Sequence, residues 1–220
     1  MTKHFENEID RLKKKVLYLT AMVERSLQTS VKAIINRDDS AVTAVQELDN
    51  EIDTLEVEVE EDCLKILALH QPVAADLRFV IAVLKINNDL ERIGDLSVNI
   101  SKRIKYFAPF SDRKVPFDLD NMLERTSKMV HMSADALIAW DPEKAKEICE
   151  ADNAIDEIHK QAYKEIHKHI QSEPEFVEYY ISLLSVSRNL ERIADHATNI
   201  AEDIVYMVSG EIIRHQGGNL

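Results

Sequence analysis

Asp89-Leu90-Glu91-Arg92-Ile93-Gly94-Asp95-Leu96-Ser97-Val98-Asn99-Ile100 returns 100 residues later as Asn189-Leu190-Glu191-Arg192-Ile193-Ala194-Asp195-His196-Ala197-Thr198-Asn199-Ile200. Seven of the twelve paired positions are identical, so the chain carries an internal repeat. Both copies keep a Glu, an Asp four residues on and an Asn four further: Glu91, Asp95, Asn99 and Glu191, Asp195, Asn199. Residues four apart lie above one another on a helix. Each copy therefore presents a stripe of oxygen donors.

The repeat extends outward from this stretch. Asp49-Asn50-Glu51-Ile52-Asp53 matches Asp152-Asn153-Ala154-Ile155-Asp156, and Asp38 matches Asp141. The offset between these pairs is 103 residues, and the drift falls at Gln71-Pro72, a turn where an insertion or deletion is easily absorbed. Apolar residues recur at helical spacing from Phe5 to Ile34 and again from Val42 to Leu69. The second helix stops at Gln71-Pro72, because proline disfavours helix in the residue before it. A third helix is expected from Ala74 to Phe107. Asn36-Arg37-Asp38-Asp39-Ser40 supplies N-cap candidates for the second helix.

Pro109, Ser111, Asp112 and Pro116 mark the only linker-like stretch, and the helical pattern restarts near Leu119. Asp141-Pro142 reads as an N-cap followed by Pro at the first helical position. Ser172-Glu173-Pro174-Glu175 has capping-box spacing for a sixth helix, which fades at Ser209-Gly210. Trp140 is expected in the core and Gln216-Gly217-Gly218 in a loose tail. The expected fold is all-α: six long helices forming two tandem three-helix bundles related by a pseudo-twofold. Its divisions are residues 1–108, a linker at 109–118, a second repeat at 119–215 and a tail at 216–220.

With Leu90 at zero on a helical wheel, Glu91, Asp95 and Asn99 fall at about 100°, 140° and 180°, outside the core face near 300°. Asp49 and Asp53 flank the apolar stripe of the second helix, as do Asp152, Asp156 and His159 on the fifth. Four carboxylates can then converge at a helix seam in each repeat. Clustered like charges destabilise a helix, and a bound cation removes the penalty. Such oxygen-rich sites suit Mg²⁺, Mn²⁺ or Ca²⁺, with iron plausible where carboxylates bridge. His159 or His196 would pull the second site toward iron or zinc. Arg92 and Arg192 could neutralise the carboxylates without any ion, but at about 200° on their wheels they are expected to stand off the stripe.

Forty Asp and Glu against 27 Lys and Arg give a net charge of −13, which argues against nucleic acid or an anionic membrane surface as ligand. Cys63 and Cys149 occupy non-equivalent places in the repeat and read as reduced thiols of a cytoplasmic protein. The chain lacks a membrane-spanning apolar run, a phosphate-binding glycine loop, a nucleophile elbow and a Glu-x-x-His pair. Three function classes stay open on the residues alone: a regulatory adaptor with metal sites, a carboxylate-type metal-dependent enzyme, and a metal-free helical scaffold.

Gln71-Pro72-Val73-Ala74-Ala75-Asp76-Leu77-Arg78, followed by Asp89-Leu90-Glu91-Arg92-Ile93-Gly94-Asp95 and the closing Gly210-Glu211-Ile212-Ile213-Arg214-His215, resembles the PhoU family. The resemblance implies a non-enzymatic negative regulator of phosphate uptake and of the phosphate-starvation response. Such a protein would work between the ATPase subunit of a phosphate ABC transporter and a sensor histidine kinase, as a homodimer. It would reach the membrane only peripherally, through those partners. The resemblance further implies multinuclear iron or zinc clusters at Glu91, Asp95, Glu191 and Asp195, with Asp49, Asp53, Asp152 and Asp156 as further ligands; magnesium or manganese would also suit. Gln71, Pro72 and Arg78 are the partner-binding candidates. Because Ser172-Glu173-Pro174 replaces that motif in the second repeat, docking is expected on the first repeat alone.

Overall fold

The computed structural model describes residues 3–110 and 112–212. It is all-α, with α1 (Lys3–Asn36), α2 (Ala41–His70), α3 (Ala74–Ser101), α4 (Ile104–Phe107), α5 (Leu119–Ala139), α6 (Pro142–Ser172) and α7 (Val177–Ser209). Helices α1–α3 pack as one three-helix bundle and α5–α7 as the other. The two bundles are joined mainly by α3 against α7, with α1 against α5 beside them. The expected tail at Gln216-Gly217-Gly218 and the motif residues Ile213, Arg214 and His215 lie outside the described residues.

The central pair is the most deeply buried. Ile86, Leu90, Ile93 and Ile100 of α3, with Leu190, Ile193 and Ile200 of α7, are almost completely withdrawn from solvent. Polar residues on this inner face bond back to the backbone: the Ser97 hydroxyl donates to the Ile93 carbonyl at 2.8 Å. The Ser30 hydroxyl crosses from α1 to the Ser97 carbonyl at 2.9 Å, which ties the two helices together. Two polar pairs fix the α3–α7 register. Lys85 Nζ lies 3.3 Å from Asp203 Oδ1, and His196 Nδ1 lies 2.7 Å from Asp89 Oδ1. Numbers rise along one helix as they fall along the other, so the pair is antiparallel.

Some local expectations need correction. The third helix does not run unbroken to Phe107. The Arg103 N–H donates to the carbonyl three residues back, at Ile100, and the tightened turn ends α3 before α4 restarts it. Ser172 opens no capping box. Its hydroxyl reaches back to the Lys168 and His169 carbonyls, while a 3₁₀ turn at Pro174–Phe176 leads into α7. Trp140 is not a core residue: it ends α5 with φ 54°, is 38% exposed, and stacks on Phe79 at 5.4 Å between ring centres.

Asp141 caps α6 as expected, its Oδ1 accepting from the Glu143 and Lys144 N–H groups at 3.0 and 3.1 Å. Ser40 precedes α2 but caps nothing, because its hydroxyl donates to Asp38. Asp141→Ala should therefore cost about 1 kcal/mol in a urea titration, while Ser40→Ala should cost no more than a few tenths.

Candidate metal centres

The α2–α3 seam holds Asp49, Asp53, Glu91 and Asp95, and the α6–α7 seam holds Asp152, Asp156, Glu191 and Asp195. In the first seam Gly94 leaves room for the partner helix: a Cβ there would stand 3.4 Å from Asp49 Oδ1 and 3.4 Å from Ile52. Asp49 thus lies against the α3 backbone between the two acidic residues of the repeat motif. Its Oδ1 is buried and accepts no hydrogen bond, and the matching Asp152 Oδ1 of the second seam is in the same condition. A buried carboxylate oxygen with no donor is costly. The same oxygen is stranded in both halves, where the repeat places the same carboxylates around it.

Electrostatics agrees with the geometry. Burial first, then Asp53 and Asp95, push the Asp49 carboxyl up to about 6. Burial, then Asp156, Asp195 and Glu191, push Asp152 to about 6 as well. Burial and Asp95 raise Glu91, and burial and Asp195 raise Glu191; burial and Asp156 raise Asp195. The four carboxylates at each seam therefore feel one another, as a cation site requires before its cation is bound.

The seams differ in their arginines. Arg92 does not stand off: its Nε lies 3.3 Å from Glu91 Oε2 and its Nη1 lies 3.1 Å from Asp95 Oδ2. The wheel angle fixes only the Cβ direction, and a long side chain folds back along its own helix. Arg92 is about half exposed, so these pairs contribute little and leave room for exchange with a metal. Among the described residues Arg192 makes no such ion pair.

Of the other expected donors, Asn199 and His196 are placed elsewhere. Asn99 is exposed. Asn199 Nδ2 donates to Asp89 Oδ1 at 3.3 Å, beside His196, so both turn to the α3–α7 groove instead of the carboxylate seam. His159 stays with the second seam, next to Asp156. Its Nδ1 pairs with the Ser187 hydroxyl at 2.8 Å, and burial holds its pKa down, the neutral form a metal requires. Both centres fit a cation: Asp49, Asp53, Glu91 and Asp95 would hold it in the first, and Asp152, Asp156, Glu191 and Asp195 with His159 in the second. A bound cation would supply positive charge that neutralises the seam and ties the two helices together. Among the described residues, no three of these carboxylates bring donor atoms within 4.8 Å of one another. The four carboxylates of each seam are therefore neighbours that do not converge on a single point.

The two helix-hairpin corners are unlike. At the α2–α3 corner Gln71 takes φ 46° to end α2, and Leu69 and Val73 are 71% and 72% exposed. Arg78 does not join Gln71 and Pro72 there; its guanidinium lies against Gly210 at the end of α7, where a Cβ would come within 3.6 Å of Nε. At the α6–α7 corner Arg113 binds both Glu173 and the Tyr180 hydroxyl, with its guanidinium 3.3 Å from the Phe176 ring centre. Sequence reading missed this latch, because Arg113 sits in the linker, 60 residues from Glu173.

A family model described as the PhoU domain matches residues 16–104 and 119–204. A protein of Pseudomonas aeruginosa, "Phosphate-specific transport system accessory protein PhoU homolog", is 31% identical over 99% of this chain and 90% of its own length. Another so named, from Zymomonas mobilis, is 34% identical over 95% of this chain and 88% of its own. The crystal structure of PhoU from Pseudomonas aeruginosa superposes with a TM-score of 0.89 at 30% identity, over 94% of this chain and all of that one. The phosphate transport system regulatory protein PhoU from Streptococcus pneumoniae gives 0.87 at 27% identity, over 95% of this chain and 99% of that one.

Proposed function

The chain belongs to the PhoU family, and from that premise we propose that it is an accessory protein of a phosphate-specific transport system that acts as a negative regulator of phosphate uptake and of the phosphate-starvation response. It is a non-enzymatic protein, as its relatives' names as accessory and regulatory proteins indicate. It works as an adaptor, docking on the ATPase subunit of the transporter and on a sensor histidine kinase, and it does so as a homodimer in the cytoplasm. No helix among the described residues is long and apolar enough to cross a membrane. The carboxylate seams hold metal, iron or zinc clusters by family resemblance, with magnesium or manganese as alternatives. That metal stiffens the helices which carry the docking surface.

The observation that carries this reading is the near-full-length match to transport-system accessory proteins. The α2–α3 corner supplies a docking surface that the latched second corner does not, since an apolar edge left in water is suited to a partner. The test is a pull-down of purified transporter ATPase and kinase by metal-loaded and chelated protein, beside a Leu69→Glu/Val73→Glu variant. Capture of both partners by the loaded protein is expected, with at least tenfold weaker capture by the variant. Failure to capture either partner would overturn the adaptor role, and undiminished capture by the variant would remove the corner from it.

A further inference from the structure

We propose that His4, Glu8 and His70 form a third metal site, specific for a divalent transition ion of the zinc, cobalt or nickel kind and separate from both carboxylate seams. His4 and Glu8 lie one turn apart at the start of α1, and His70 is the last residue of α2. Antiparallel packing of α1 on α2 brings these ends together although the sequence separates Glu8 from His70 by 62 residues. Among the described residues this is the one set of three His, Cys, Asp or Glu side chains whose donor atoms all lie within 4.8 Å of one another.

Both imidazoles close on the one carboxylate, each on its own oxygen. His70 Nε2 is 2.6 Å from Glu8 Oε2, and His4 Nε2 is 3.3 Å from Glu8 Oε1. Around a tetrahedral ion with bonds of about 2.0–2.1 Å, ligand atoms stand roughly 3.3 Å apart. One donor atom from each of the three side chains lies within 4.8 Å of the other two, so closing on an ion needs only small movements of the side-chain ends. Both imidazoles turn the same ring nitrogen, Nε2, toward the carboxylate. The His70 ring is also held from behind by Phe5, at 5.1 Å between ring centres, which limits its rotation. His70 and Glu8 are largely sheltered while His4 is 74% exposed, so the set has two fixed ligands and one that swings in from solvent.

Two imidazoles and one carboxylate select against magnesium and calcium, which take oxygen donors, and for borderline ions that accept nitrogen. Three protein ligands leave a fourth position for water or for a side chain of a docked partner. The site adjoins Gln71, so an ion there would pin the first turn of α1 to the open α2–α3 corner.

Cobalt(II) titration of chelator-stripped protein at pH 7.5 tests the assignment, read by visible d–d absorption and by calorimetric stoichiometry. One equivalent with the intense absorption of a low-coordinate cobalt ion is expected, over and above any weakly absorbing ions held by the carboxylate seams. His4→Ala and His70→Ala should each weaken that equivalent by roughly 100-fold, since even the loss of an outer-shell partner costs 10- to 100-fold. A variant with Glu91→Gln, Asp95→Asn, Glu191→Gln and Asp195→Asn should keep it. His4 is 74% exposed in the first turn of α1, so His4→Ala does not threaten the fold. An unchanged spectrum and stoichiometry in His4→Ala, or equal occupation of the site by magnesium, would overturn the proposal.

Discussion

Leu190→Ala should destabilise the protein by about 2–5 kcal/mol, and Leu90→Ala by an amount within about 1 kcal/mol of it. Both side chains are withdrawn from water, at 0% and 1% exposure, on the two helices that meet at the centre of the molecule. Truncation therefore opens a cavity beside both three-helix bundles, and a close-packed interior closes only part of it. Leu69→Ala is the control, because a side chain 71% exposed should change stability by no more than about 0.5 kcal/mol. Chemical denaturation monitored by circular dichroism measures all three. A loss below 1 kcal/mol at both central leucines would mean that the two bundles do not share a core.

Taking the metal-free protein from pH 7.5 to pH 5 should stabilise it through Asp49 and Asp152 by about 1 kcal/mol in all, the reverse of ordinary acid behaviour for paired carboxylates. Asp49 and Asp152 are pushed to about 6 in the folded chain from an ordinary 3.8. Between those values the native state holds protons that the unfolded chain has released, so stability rises as pH falls. The cost of the two buried charges is full above pH 6 and absent below 3.8. Taken at face value each shift would be worth about 3 kcal/mol once pH falls below 3.8 but only about 1.4 kcal/mol at pH 5, and solvent screening at these half-exposed seams reduces the gain at pH 5 to about 0.5 each. A divalent ion at 100 times its dissociation constant should add about 2.7 kcal/mol at pH 7.5. It should add much less at pH 5, where protons compete for the same oxygens. Unfolding curves at both pH values, with and without metal, measure this. Asp49→Asn/Asp152→Asn should flatten the pH dependence, and a double variant that keeps the wild-type slope would show that other groups set it.

The duplication, the six long helices and the four-carboxylate seams were legible because each depends on short-range spacing: 3.6-residue burial, a proline after a helix, an aspartate before one. What required the structure was set by contacts across helices. Nothing at Lys102 or Arg103 signals the break after α3, since neither proline nor glycine stands there. Asn199 and His196 read as companions of Asp195, yet the α3–α7 register offers them Asp89 instead. Arg92 shows the limit of a helical wheel, which describes where a side chain starts and not where its charge arrives. His4 and Glu8 have a visible one-turn spacing, but their third member becomes a neighbour only when α2 folds back along α1.

The antiparallel meeting of α3 and α7 has an implication for the ancestry of the molecule. Each half shows the other the flank that the other shows in return, as two copies do across a twofold axis. A progenitor of single length built this way would have been obliged to pair with itself to cover that greasy flank. Joining two copies end to end makes the pairing permanent, and then frees the corners to diverge, one staying open for a visitor and the other being clasped shut by an arginine from the joining segment.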